Sequence, residues 1–175
     1  MDTCPVAVIG IGSLLFSDQS LGLRVARALH QENLPHTVEI IEAGMSGLNL
    51  IPWMDEREKV IFVCSIPAGT EPGTLHCLSP SELESLLPEL GDFDDDFPME
   101  FTDSDDEYEG EEIHLADRRD LIDAIQMADY LGIKPNVVIV GLEPVSTIRG
   151  TELSEILQQK IPGVLDQVKK EISKL

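Results

Sequence analysis

Positive charge is scarce in this 175-residue chain: 12 Lys and Arg stand against 33 Asp and Glu, for a formal net charge of −21 and a pI near 4.2. Nucleic-acid phosphates and anionic membrane surfaces are therefore expected to be repelled, which excludes both as main partners. Cysteine is rare too. Cys4, Cys64 and Cys77 are odd in number, irregularly spaced and without a CxxC pair, and no hydrophobic leader opens the chain, so a reduced, cytoplasmic protein is expected. No apolar run approaches the roughly 18 residues that a membrane span needs. Nothing matches a P-loop, an HExxH zinc helix or a GxSxG elbow.

What is present reads as one α/β domain over residues 1–175. Hydrophobic residues make up 42% of the chain and charged residues 26%, enough for a packed core. The apolar run Val6-Ala-Val-Ile-Gly predicts a first strand, and Leu21, Val25, Ala28 and Leu29 recur at helical spacing in a helix over 21–31. Further strands are expected at 37–41, 60–64, 74–78 (nearer an edge) and 136–140. A turn is expected at 42–47, and helices at 48–55, 117–131 and 154–175, the last broken or kinked near Pro162. Strand and helix alternation predicts a doubly wound, three-layer α/β/α fold with a twisted, mostly parallel five-stranded sheet.

Residues 91–112 interrupt this pattern. They hold twelve acidic residues and no Lys or Arg, leaving about −9 for the rest of the chain. Such a stretch cannot bury enough apolar surface to offset its ordering entropy and is expected to be a flexible insertion. Two roles stay open: a solvated loop, or a tether for a basic partner whose binding would weaken with salt.

Open α/β sheets build their sites on the loops at strand C-terminal ends. Here those loops are Gly12-Ser-Leu-Leu-Phe-Ser-Asp-Gln-Ser-Leu-Gly22, Glu42-Ala-Gly-Met-Ser-Gly-Leu-Asn-Leu50 and Val63-Cys-Ser-Ile-Pro-Ala-Gly-Thr-Glu-Pro-Gly-Thr74. Gly10-Ile-Gly12 lacks the third glycine of a dinucleotide fingerprint, Leu15 taking its place, so the two glycines are read as conformational.

The first loop resembles G-N-x-L-x-x-D-[DE]-x-x-G of the nickel-iron hydrogenase maturation endopeptidases, the second their D-G-G-T-x-G-x-x-L, and the third their V-D-A followed by P-G-T. Val140-Gly-Leu-Glu-Pro144 and Gly150-Thr-Glu-Leu-Ser154 are similar to the family's V-G-[VI]-x-P-E and later L-S segments. The resemblance implies removal of a short C-terminal extension from the [NiFe] hydrogenase large-subunit precursor, with the nickel it carries as the recognition element. The alternative is a noncatalytic relative that binds a large subunit, or a related metal protein, as an assembly chaperone.

Carried over position by position, the family's metal contacts fall on Gln19, Cys64 and His114, with Asp18 and Asp117 as alternates. Asp18 matches the first acidic position, and Gln19 stands where the family has its metal-binding Glu or Asp. Cys64 replaces the Asp of V-D-A. It is either a thiolate ligand or a small buried hydrophobe. The family histidine falls on Asp117 in an ungapped count back from Leu131-Gly132, and on His114 if three residues are inserted. His30, His36 and His76 read as surface or strand positions. The second loop implies a substrate-binding turn at Gly44, Met45 and Gly47, with Glu42, Ala43 and Met45 in place of the family's Asp, Gly and Thr.

Overall fold

The computed structural model describes residues 4–44, 47–86 and 110–174, with the backbone alone for 110–118. Five strands, β1 (Val6–Ile11), β2 (Val38–Gly44), β3 (Lys59–Ser65), β4 (Leu75–Leu78) and β5 (Asn136–Leu142), form one sheet in the order β2-β1-β3-β5-β4. All neighbours are parallel except β4, which runs antiparallel to β5 at one edge. The three-layer, mostly parallel architecture expected from the sequence is present.

Alternation along the central strands sorts the core into two layers. Val6, Val8, Ile61, Val63 and Val140 face α1 (Leu21–Leu29) and α5 (Glu155–Ile172). Ala7, Ile9, Val60, Phe62 and Ile139 face α2 (Ile51–Met54), α3 (Pro80–Ser85) and α4 (Gly110–Tyr130). Side chains two residues apart share a face of a strand, so apolar runs covered on both sides build both layers at once.

The helix α3 was not expected, several element ends shift by one to three residues, and three further departures stand out. β2 continues to Gly44, so the turn expected at 42–47 starts later, where Gly44 adopts φ +67°. α4 begins at Gly110 rather than 117. α5 runs unbroken through Pro162, which lies on the exposed face, where solvent can satisfy the carbonyl left without a donor. The expectation of a flexible insertion falls almost wholly outside the described residues. Among those described, no helix is long and apolar enough to cross a membrane.

At the N-terminal end of β3, opposite the motif loops, Lys59 is buried, 2% exposed. Its Nζ donates to the Glu171 carbonyl at 2.5 Å and lies 3.7 Å from the Glu171 carboxylate, which also accepts from Lys174 Nζ at 2.5 Å and Gln167 Nε2 at 2.9 Å. Burial pushes the Glu171 carboxyl up, but the Lys174 hydrogen bond and the charges of Lys174 and Lys59 outweigh it and hold the group below the ordinary carboxylate range. Burial and the Glu171 charge in turn push the Cys77 thiol up, and that thiol donates to Glu171 across 3.7 Å.

Candidate functional site

β1 ends in a loop that turns back over the sheet as the short 3-10 turn Ser17–Ser20 and leads into α1. Gly12 permits this. Its φ is +142°, and a Cβ there would meet the Gln19 carbonyl oxygen at 1.8 Å, so any side chain would push the turn off the strand end.

Asp18 is fully buried. One carboxylate oxygen accepts from the backbone N–H groups of Val145 (2.8 Å) and Ser146 (3.0 Å), and the other from that of Ser154 (2.7 Å). These donors lie 127 to 136 residues away, so Asp18 fastens the first motif loop to the segment after β5. Further bonds close the same seam: Ser17 N–H to Gly150 O (2.8 Å), Gly150 N–H to Leu15 O (2.9 Å), Ser17 Oγ to Ile148 O (3.0 Å) and Arg24 to Thr151 O (2.6 Å). Ser17 is held at φ +27°, a conformation non-glycine residues seldom adopt, by contacts on both sides.

Gln19, the next residue, has the opposite environment. It is 1% exposed, yet among the described residues neither its amide oxygen nor its amide nitrogen has a hydrogen-bond partner. A buried amide left without partners costs roughly 1–3 kcal/mol, so the position is maintained against its own stability.

A second buried carboxylate was missed by sequence reasoning. Glu143, 6% exposed, follows β5 and accepts from the backbone N–H groups of Ala68 (2.8 Å), Gly69 (3.3 Å) and Thr70 (3.2 Å), and from the Thr70 hydroxyl (2.8 Å). His76 Nε2 lies 3.6 Å from it and 3.0 Å from Thr70 Oγ1. The third motif loop is thereby tied to the end of β5. An acidic residue between an apolar strand and Pro144, at the edge where loops gather, was the available signal.

Cys64 sits near the C-terminal end of β3, half-buried, and packs against the apolar layer under α2 and α4. Opposite it Gly141 lets β5 close in: a Cβ there would lie 1.9 Å from the Cys64 carbonyl oxygen. Gly44 ends β2 and accepts the Gly12 N–H at 3.0 Å, while Gly47 opens the 3-10 turn Leu48–Leu50 against Asp120 of α4. His114 and Asp117 lie on the first turns of α4, where only the backbone is described, and Met45 lies outside the described residues. Among the described residues, no group of three His, Cys, Asp or Glu side chains is placed to hold a metal ion.

The profile of the hydrogenase maturation protease family matches residues 23–89. Over 83 residues the chain is 39% identical to a putative hydrogenase maturation protease of Methanocaldococcus jannaschii, covering 46% of this chain and 54% of that one. Over 84 residues it is 34% identical to the hydrogenase 2 maturation protease of Escherichia coli, covering 47% and 51%. The chain thus spans about half the length of the curated relatives it matches. In fold it is similar to the hydrogenase maturating endopeptidase HybD of E. coli, with a TM-score of 0.76 over 97% of this chain and 92% of that one at 24% identity. It is also similar to the [NiFe] hydrogenase maturation protease HycI of Thermococcus kodakarensis, with a TM-score of 0.61 over 95% and 91% at 19% identity. The chain is thus similar in sequence, over roughly its first half, to hydrogenase maturation proteases, and similar in fold along most of its length to solved structures of the same description.

Proposed function

We propose that the chain is an endopeptidase that removes the C-terminal extension of a nickel-loaded [NiFe] hydrogenase large-subunit precursor. The observation that carries this reading is the seam at the C-terminal edge of the sheet: Asp18 locks the first motif loop to the segment after β5, and Glu143 locks the third to the end of β5. A protease reading is preferred to a binding-only assembly role because the relatives named above are described as proteases or endopeptidases.

In this reading nickel arrives as part of the substrate, where it polarises the scissile amide. Gln19 and Cys64, with His114 or Asp117 from α4, are the groups that meet it. The Gln19 amide oxygen offers a lone pair without charge, and a Cys64 thiolate is a soft donor suited to nickel. Asp18 is assigned the role of a positioning residue, since three N–H groups already occupy its oxygens. Gly44, Met45 and Gly47 supply the turn against which the extension lies.

The test is to incubate the purified chain with nickel-loaded and nickel-free precursor and follow precursor mass. Loss of the extension from the nickel-loaded form alone is expected. A precursor that stays full length, whether or not it forms a complex, would overturn the reading.

A further inference from the structure

Away from the seam, the exposed face of α4 and the turn after β2 enclose an open groove of about 630 Å³. Its floor is apolar although it faces solvent: Leu48 is 57% exposed, Met127 41% and Tyr130 86%. Its polar rim is formed by Asp120, Asp123 and Gln126, and among the described residues no Lys or Arg lines it. Asp120, Asp123, Met127 and Tyr130 recur every three or four residues, so they form one stripe along the helix, while Leu121, Ile122, Ala124 and Ala128 bury the opposite side in the core.

The geometry points to this groove as the docking site for a basic segment of the substrate protein, one that alternates Lys or Arg with apolar or aromatic side chains. Charge complementarity selects that occupant. A neutral apolar peptide would desolvate Asp120 and Asp123 without pairing them, which is costly. The chain's own stretch 91–112, with twelve acidic residues and no basic one, would be repelled, and a second copy would bring another −21. A Lys or Arg head can instead pair with Asp120 or Asp123 while its stem lies on Met127, and the Tyr130 ring offers its face to a cation.

This inference rests on the proposed function for the identity of the partner. It adds that the partner is recognised by a stretch of polypeptide as well as by its nickel. The groove begins at Gly47, in the turn assigned to the extension, and runs away from it along α4. A precursor seated there is held at a second point, so recognition does not depend on the nickel contact alone.

The experiment is fluorescence anisotropy on the full chain with three labelled nonapeptides: one alternating Lys with Leu and Phe, one with Glu in place of each Lys, and one with Ser in place of Leu and Phe. The first is expected to bind, and the other two at least tenfold more weakly. D120N/D123N and, separately, M127S/Y130A are each expected to weaken the first peptide at least tenfold. E58Q/D166N, which removes the same charge elsewhere, is expected to change binding less than twofold. Equal weakening by D120N/D123N and E58Q/D166N would reduce the effect to net charge and overturn the proposal. So would binding untouched by M127S/Y130A, or a dimer in sedimentation that these changes dissolve. No cleavage enters this assay. Groove-dependent binding without precursor cleavage would sink the endopeptidase reading alone, and cleavage without groove-dependent binding would sink this one alone.

Discussion

The two ends of the sheet bury carboxylates in opposite ways. At the N-terminal end Glu171 is met by cations, Lys59 and Lys174. At the C-terminal end Asp18 is met by backbone N–H groups alone, and Glu143 by N–H groups and a hydroxyl with His76 at 3.6 Å. Both solutions satisfy the oxygens, but only the first does so with lysine counter-charges. N–H donors hold the loops in place without bringing a counter-ion to the edge. The difference shows how loops can be held in place without a lysine counter-charge.

The largest effect should come from breaking the seam. Asp18→Ala removes the shared acceptor of three backbone N–H groups and is expected to cost about 3 kcal/mol, lowering Tm by about 9 °C in calorimetry. A shift under 2 °C would show that the loops hold without it.

Next comes the charge-compensated end. Because the folded-state pKa of Glu171 is lowered, its contribution is full above the unfolded carboxylate range and is lost as pH falls through the folded value. Glu171→Gln is expected to lose about 2 kcal/mol at pH 7 and to flatten the acid limb of the stability curve in urea titrations. An unchanged limb would place the acid sensitivity elsewhere.

A smaller effect of opposite sign is expected at Gln19. Gln19→Met removes two unpartnered amide atoms at similar volume and should stabilise by about 1 kcal/mol while lowering precursor cleavage. Gln19→Glu should melt lower than the parent in chelator and recover on adding Ni²⁺, because the buried charge then has a partner. If nickel leaves that variant's Tm unmoved, position 19 does not face a cation.

The smallest effect is local. Glu143→Gln keeps one acceptor oxygen, so global stability should change by under about 1 kcal/mol, but the Ala68 and Thr70 amides should exchange several-fold faster by NMR.

The scaffold was readable in the sequence wherever burial is two-sided. β1 is apolar throughout, β3 is apolar from Val60 to Cys64, and α1 repeats every three to four residues. Short or mixed signals carried less: β4 has only four residues, which show its edge position but not its antiparallel direction. Acidic residues that read as solvated concealed the start of α4.

The site divides similarly. The motif loops were legible as turns because glycine and proline punctuate them. The duties of Asp18 and Glu143 were not, since their partners are backbone N–H groups 73 to 136 residues distant, and any residue but proline supplies one. An acid at position 18 looks the same in sequence whether it binds metal or ties a loop. Gln19 was noticed as a substitution, but its isolation depends on burial and on the lack of neighbouring donors, neither of which its own residue type reveals.

The most direct test of the contrast between the two ends is hydrogen–deuterium exchange of the chain alone and in complex with nickel-loaded precursor. Slowed exchange is expected in residues 12–20, 47–50, 64–70 and 143–150, with no change around Lys59 and Glu171. Protection centred on Lys59 and Glu171, or spread evenly over both ends, would contradict the assignment of the C-terminal edge as the substrate-receiving surface.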